Sequence, residues 1–274
     1  MWRRHFLLTA GAALAAPASK VQIGVPDWSL QLPGQTAALD LAKKVGFAGV
    51  ELSLGRKPVD GKLPLDNPEL QAEYAAKQKA TGVPLLSTCL DILHVNGLKN
   101  DKLGQKWLGD AIQINHKMKL RNMLMPFFGQ RAMETRAEMD YVGDLLRDFG
   151  QAAEKAGVIL GLENTNTAED NVRIMERSGS PAVKVWYDVG NSFTRGYDIY
   201  KEIRWLGKDR ICHFHLKDNP AFMGEGRIDF EEVVKAIREI GWSGYADLET
   251  SAPTKDVAAD MSKNLSFIRG LMKG

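Results

Sequence analysis

Glu163, Asp188, His215 and Glu249 each stand at the end of an apolar run in the second half of the chain, in "VILGLE", "VKVWYD", "ICHFHL" and "YADLE". The differences of their sequence numbers are 25, 27 and 34 residues. A strand buried on both faces has little use for an ionisable end residue unless that residue works there. Carboxylates with one imidazole make a donor set of hard oxygen and some nitrogen. That set suits one divalent cation, manganese first, with magnesium, cobalt or zinc as competitors. Each residue alone has a plain structural explanation: a strand-end Asp caps a helix, and a lone His is a satisfied core residue. Four such residues at one repeat point instead to a common metal site.

The repeat is that of a strand-plus-helix unit. Eight apolar runs read as strands, starting near Val21, Gly49, Pro84, Asn122, Val158, Val183, Ile211 and Tyr245. Amphipathic patterns lie between them, among them "QTAALDLAKKVG", "DNPELQAEYAAKQKATG", "RAEMDYVGDLLRDFGQAAEKAG" and "DFEEVVKAIREIGW". Several close on a glycine, as a helix terminator does. Asp229 followed by Glu232 predicts a capping box. The fold class expected is α/β, a single (β/α)8 TIM barrel, and 274 residues is an ordinary length for one. A doubly wound open sheet stays as the alternative, because periodicity does not report closure. In a barrel the four ligand-type residues share the carboxyl-end rim, where barrel active sites lie. No Pro-, Gly- or Ser-rich linker divides residues 19–274, which read as one domain.

Residues 1–18 are different text. Arg3 and Arg4, then Phe6, Leu7 and Leu8, then a small-residue run to Ala16, Pro17 and Ala18 have the basic, apolar and A-x-A parts of a secretory signal. The paired arginines resemble a twin-arginine export signal. The expectation is cleavage after Ala18, a mature chain from Ser19, and a periplasmic or otherwise exported protein. A first core helix is the alternative, but the segment lacks the polar face of one. The apolar run is too short to span a bilayer, so no stable membrane insertion is expected once the signal is removed. Lys and Arg total 36 against 34 Asp and Glu, and loss of Arg3 and Arg4 leaves 34 against 34. A near-neutral mature chain makes no electrostatic case for nucleic acid. Cys89 and Cys212 sit in apolar strand-like runs and read as buried thiols, with a disulfide as the lesser alternative.

The strings "LENTN", "DVGN", "HFHLKD", "GEGRIDF" and "LET" resemble the xylose isomerase-like TIM barrel family of sugar isomerases and epimerases. That superfamily also contains hydroxypyruvate isomerase, ketose 3-epimerases, inosose-processing enzymes and endonuclease IV. The resemblance covers essentially the whole mature chain, with its motifs concentrated after Gly161. It implies that Glu163, Asp188, His215 and Glu249 bind one divalent cation, with His215 chosen over His213 because it directly precedes "LKD". The chain departs from the ketose 3-epimerases in two places. Asn191 stands where they have a histidine three residues after the metal Asp, and Lys217 where they offer an arginine after the metal His. Endonuclease IV needs a three-zinc cluster fed by several histidines, and only His94, His116, His213 and His215 remain here after the signal.

Five further residues are candidates for substrate contact. Lys217 shares strand parity with His215 and points into the mouth, where it could polarise a carbonyl or hydroxyl. Asn191 offers a hydrogen bond. Trp28 and His94 follow the first and third strands and could form part of a substrate wall. Glu51 ends the second strand, either lining the pocket or held by a Lys or Arg. His213 and Asp247 lie two residues before a ligand on adjacent strands and are expected to pair beneath the metal. Gly224 and Gly226 read as a tight turn before a capped helix, with a phosphate loop as the alternative.

The function expected is a divalent-metal-dependent isomerase or epimerase of a small, unphosphorylated sugar, keto-sugar or polyol-derived ketone. It would act through an enediolate, with Glu163 and Glu249 exchanging the substrate proton. A metal-dependent lyase acting on keto-glycosides begins with the same proton abstraction and stays open. So does a non-catalytic exported sugar-binding protein. The partner is a small molecule, and a homo-oligomer is compatible with the sequence.

Overall fold

Eight parallel strands close into a barrel in simple sequence order, each hydrogen-bonded to the next and the last to the first. The computed structural model describes residues 20–273, so the signal expected over residues 1–18 lies outside the described residues. The elements alternate as β1 (Val21–Pro26), α1 (Ala37–Val45), β2 (Val50–Ser53), α2 (Pro68–Thr81), β3 (Leu85–Cys89), α3 (Lys102–Met118), β4 (Asn122–Pro126) and α4 (Arg136–Ala156). They continue as β5 (Ile159–Glu163), α5 (Ala168–Ser178), β6 (Val183–Asp188), α6 (Val189–Thr194), α7 (Ile199–Arg210), β7 (Ile211–Leu216), α8 (Phe230–Glu239), β8 (Gly244–Leu248) and α9 (Val257–Lys273). The eight strands begin within a residue of where the apolar runs place them. The barrel closes, and the open-sheet alternative is set aside.

Local chemistry explains the boundaries. Helices α1, α2, α4 and α5 stop at Gly46, Gly82, Gly157 and Gly179, each in the left-handed conformation that releases a chain from a helix. The expected box at Asp229 is half made. Asp229 accepts from the backbone N–H of Glu232, but the Glu232 carboxylate turns away to Arg204 and Lys235. The complete capping box belongs to α4, between Thr135 and Glu138.

Apolar burial falls into two parts. A large cluster, including Leu52, Phe127, Leu162, Phe214 and Ile237, joins the outward strand faces to the helices. A small one, Cys89, Leu124 and Trp186 with Trp28 and Cys212 against it, lies inside the barrel. Both cysteines are free thiols. Polar groups share the interior with Leu86, and Gly24 leaves them room: a Cβ there would sit 2.1 Å from Asp247 Oδ1 and 2.4 Å from Leu86 Cδ1. Among the described residues no helix is long and apolar enough to cross a membrane.

Candidate metal centre and substrate pocket

Strand register brings the four ligand-type residues to one level of the rim. Asp188 on β6 is the direct partner of His215 on β7, and His215 of Asp247 on β8, which places Glu249 just above. Glu163, Asp188, His215 and Glu249 each present one ligand atom, and these atoms all lie within 4.8 Å of one another. His215 directs Nδ1 at the group, 2.9 Å from Glu163 Oε1, 3.4 Å from Glu249 Oε2 and 3.9 Å from Asp188 Oδ2. Asp188 divides its two oxygens. Its Oδ1 caps α6 through the backbone N–H of Asn191, while Oδ2 faces the other three residues.

The electrostatics fit a cation. Burial pushes the Asp188 carboxyl up to about 7, and the neighbouring Glu249 and Glu163 push the same way against the pull of Lys217. Burial also works against charge on Glu249, but Lys217 and His215 beside it hold its carboxyl well below the usual range. Lys217 Nζ is 2.6 Å from Asp188 Oδ2 and 2.5 Å from Glu249 Oε2, a bridge between two members of the cluster. Its stem passes over Gly190, where a Cβ would lie 2.6 Å from Lys217 Cγ. Crowded, buried carboxylates with one imidazole are a donor set that a divalent ion satisfies.

The other candidates divide. Trp28, His94, Asn191 and Lys217 line one cavity of about 310 Å³ together with Glu163, Glu249, Arg56, Cys89, Asp91, Pro126 and Phe128. Trp28 is more than rim packing, since its Nε1–H donates to Glu249 Oε1 at 2.9 Å. Asn191 donates its amide to Asp188 Oδ2 at 2.9 Å, which leaves its oxygen for a ligand hydroxyl. His94 stacks on Phe128 at 6.0 Å between centroids, forming one wall.

Glu51 requires a correction. It is fully buried, does not reach the cavity, and is held by neither Lys nor Arg. Its Oε2 lies 2.8 Å from His215 Nε2 on the side away from the cluster. Its place at the end of the second strand does not by itself report that it lies below the cavity floor beside an imidazole. There it fixes the imidazole so that Nδ1 is the atom offered upward. Trp28 and Trp186 meet the His215 ring edge-on at 6.2 and 5.4 Å and complete the clamp.

Beneath them His213 Nε2 stands 3.0 Å from Asp247 Oδ2, both fully buried. The contact lacks hydrogen-bond alignment, and neither side chain has another partner among the described groups. Trp186 stacks flat on His213, 4.0 Å away at 12°. In the segment expected to turn before α8, Gly226 packs against Asp218, whose Oδ2 accepts from the Ile228 backbone.

Sequence reading missed Arg56 and Asp91. Arg56 is a loop residue and Asp91 opens a 3-10 turn after β3, and the relation of both to the rim depends on how these connections fold over it. A wider groove of about 860 Å³, lined by His116, Lys119, Arg121 and Lys184 among others, opens at the amino ends of the strands, away from the carboxylate cluster. The chemistry concentrates at the smaller cavity.

Comparison with known proteins agrees with this fold. A 2-epi-5-epi-valiolone 7-phosphate 2-epimerase of an Actinoplanes species is 28% identical over 227 residues, 79% of this chain and 82% of that one. The solved structure of apo 3-keto-D-glucoside 4-epimerase from E. coli superposes with a TM-score of 0.74 at 20% identity, covering 92% of this chain and 100% of that one. An IOLI protein solved with a zinc atom bound gives 0.74 at 16% identity, covering 92% and 98%. Residues 39–271 match the model of one family, and the chain belongs to it: the xylose isomerase-like TIM barrels.

Proposed function

We propose that the protein is a divalent-metal-dependent isomerase or epimerase of a small sugar, keto-sugar or related polyol ketone. The observation that carries this reading is that Glu163 and Glu249 belong to the ligand cluster and also line the cavity. A carboxylate in both places can hold a cation with one oxygen and face a substrate carbon with the other. The relatives named above, epimerases of cyclitol phosphates and keto-glucosides by their names, support the same class of chemistry.

Glu163, Asp188, His215 and Glu249 would hold the ion. When bound, it supplies positive charge against the substrate's carbonyl and adjacent hydroxyl oxygens. Glu249 is held in position, because Trp28 and Lys217 fix its two oxygens and Lys217 keeps it ionised, and it would exchange the substrate proton from there. Glu163 faces the same cavity and takes the complementary proton position. As the proton leaves carbon the substrate becomes an enediolate, and return of a proton to either face or to the neighbouring carbon completes epimerisation or isomerisation. The Lys217 ammonium and the Asn191 amide oxygen hold substrate oxygens during that exchange. Manganese is the metal proposed, and the paired arginines near the N-terminus support export by a twin-arginine route.

The test is solvent-deuterium exchange into keto-sugars with manganese-loaded protein. Exchange without cleavage is expected, and cleavage products would favour a lyase. Glu163→Gln and Glu249→Gln each keep an oxygen but lose the base, so exchange should fall by about 10² to 10⁴ while metal affinity falls less. Wild-type exchange in both variants would refute the proton-transfer roles. The mass of the native protein should place its first residue at Ser19; an intact Met1 would argue against processing.

A further inference from the structure

The cavity holds a cation that the proposed chemistry does not use. Arg56 lines it, is exposed at the mouth, and has neither a hydrogen bond nor a salt bridge among the described residues. The other lysine or arginine of the cavity lining, Lys217, is committed to Asp188 and Glu249. Asp91, the carboxylate nearest in role, is taken as well: Oδ1 accepts from Ser53 Oγ at 2.7 Å and Oδ2 from the Gly55 backbone at 3.0 Å.

The backbone that carries Arg56 is held in place. It sits on the arm between β2 and α2, which is pinned at Gly55 by Asp91 and folded back on itself by two backbone bonds between Val59 and Lys62, 2.9 and 3.0 Å long. Asp60 and Gly61 between them have positive φ, 50° and 72°, as a tight two-residue turn requires. The arm carries Arg56, Lys57 and Lys62 against two acids, Asp60 and Asp66.

The charges on the two sides of the cavity differ. With a divalent ion in place, Glu163, Asp188 and Glu249 are balanced by the ion and Lys217. The guanidinium of Arg56 then faces the ligand with no hydrogen-bonded partner of its own, the buried Asp91 carboxylate being the nearby acid. A guanidinium left open in a shaped cavity is matched by a planar or tetrahedral oxyanion.

We propose that Arg56 reads an anionic substituent, a carboxylate or a phosphate, on the part of the sugar that projects from the metal centre toward the mouth. This inference rests on the sugar-isomerase reading and names the class of sugar: acidic rather than neutral. It departs from the unphosphorylated sugar expected from the sequence, in that phosphate is one of the two sources tested.

The test is calorimetric titration of manganese-loaded protein with three matched probes: D-fructose, its 6-carboxylate D-fructuronate, and D-fructose 6-phosphate. Wild type should bind one or both anionic probes at least about tenfold tighter than fructose, the range of a charge-assisted hydrogen bond. Carboxylate ahead of phosphate, or the reverse, identifies the source. In Arg56→Ala the preference should collapse, and in Arg56→Lys part of it should return, because charge survives but the two-pronged fork does not. Because Arg56 is an exposed loop residue, the alanine variant should keep the wild-type melting profile. Equal binding of all three probes, binding of none, or a preference that survives Arg56→Ala overturns the proposal. A preference for the anionic probes without deuterium exchange in any of them would leave the Arg56 subsite standing and sink the isomerase reading instead.

Discussion

Replacing Glu51 by Gln separates the fold from the metal centre. Glu51 Oε2 is 2.8 Å from His215 Nε2, with both side chains fully buried. Glutamine has nearly the same volume and still offers an oxygen to the imidazole N–H, but it carries no charge. A hydrogen bond to a charged group contributes roughly 1.5–3 kcal/mol and a neutral one roughly 0.5–1.5, so the substitution should cost the orientation of His215 about 1–1.5 kcal/mol. That corresponds to about tenfold weaker metal binding, the low end of the 10- to 100-fold seen when a ligating histidine loses its supporting partner. Glu51→Ala, which leaves Nε2–H without an acceptor, should reach the upper end. Stability should move differently. Burial pushes the Glu51 carboxyl up against the opposing pull of His215, so removing that carboxyl relieves a desolvation cost. Thermal unfolding of the chelator-stripped Gln variant should therefore stay at or above wild type. Titration calorimetry with manganese and zinc, run beside circular-dichroism melts, reads both quantities. Wild-type metal affinity in both folded variants would refute the idea that Glu51 sets the His215 ring.

Two other outcomes follow from single contacts. Burial raises the Asp27 carboxyl to about 8, against backbone donors from Gly34 and Ser53. The native state therefore keeps a proton that the unfolded chain releases above about pH 4, and this group costs stability as pH rises from about 4 to about 8. Asp27→Asn keeps the acceptor oxygen and removes the titration, so its stability relative to wild type should climb by up to about 1.4 kcal/mol per unit between pH 5 and 8. Parallel urea-denaturation profiles for the two proteins would show that Asp27 is not buried as a neutral acid. His215→Ala removes the one nitrogen donor of the cluster, and elemental analysis should find the divalent metal content of the purified protein sharply reduced; unchanged content would rule out the four-residue cage.

Strand-end chemistry is legible in one dimension because a βα repeat converts sequence period into position on a rim. Glu163, Asp188, His215 and Glu249 fall one per strand, so their convergence needs only the barrel to close. Strand parity puts Lys217 at the mouth, and the glycine stops of α1, α2, α4 and α5 follow from local backbone rules. What parity cannot report is depth. Glu51 and His94 were both read as lining residues, yet Glu51 lies under the imidazole and His94 faces the cavity. A register shift between β2 and β3 falls at Glu51, and the turn after β3 carries His94; no single strand encodes either placement. The loops are the other limit. Arg56 faces the cavity because Asp91, 35 positions on in the numbering, accepts from the Gly55 backbone, and Trp28 meets Glu249, 221 positions away in the sequence, because β1 and β8 close the barrel side by side. Such contacts join residues remote in sequence through side-chain hydrogen bonds that exist only once the strands are paired. The chemistry of the centre was therefore written locally, while the shape and charge of the pocket above it were decided by tertiary structure.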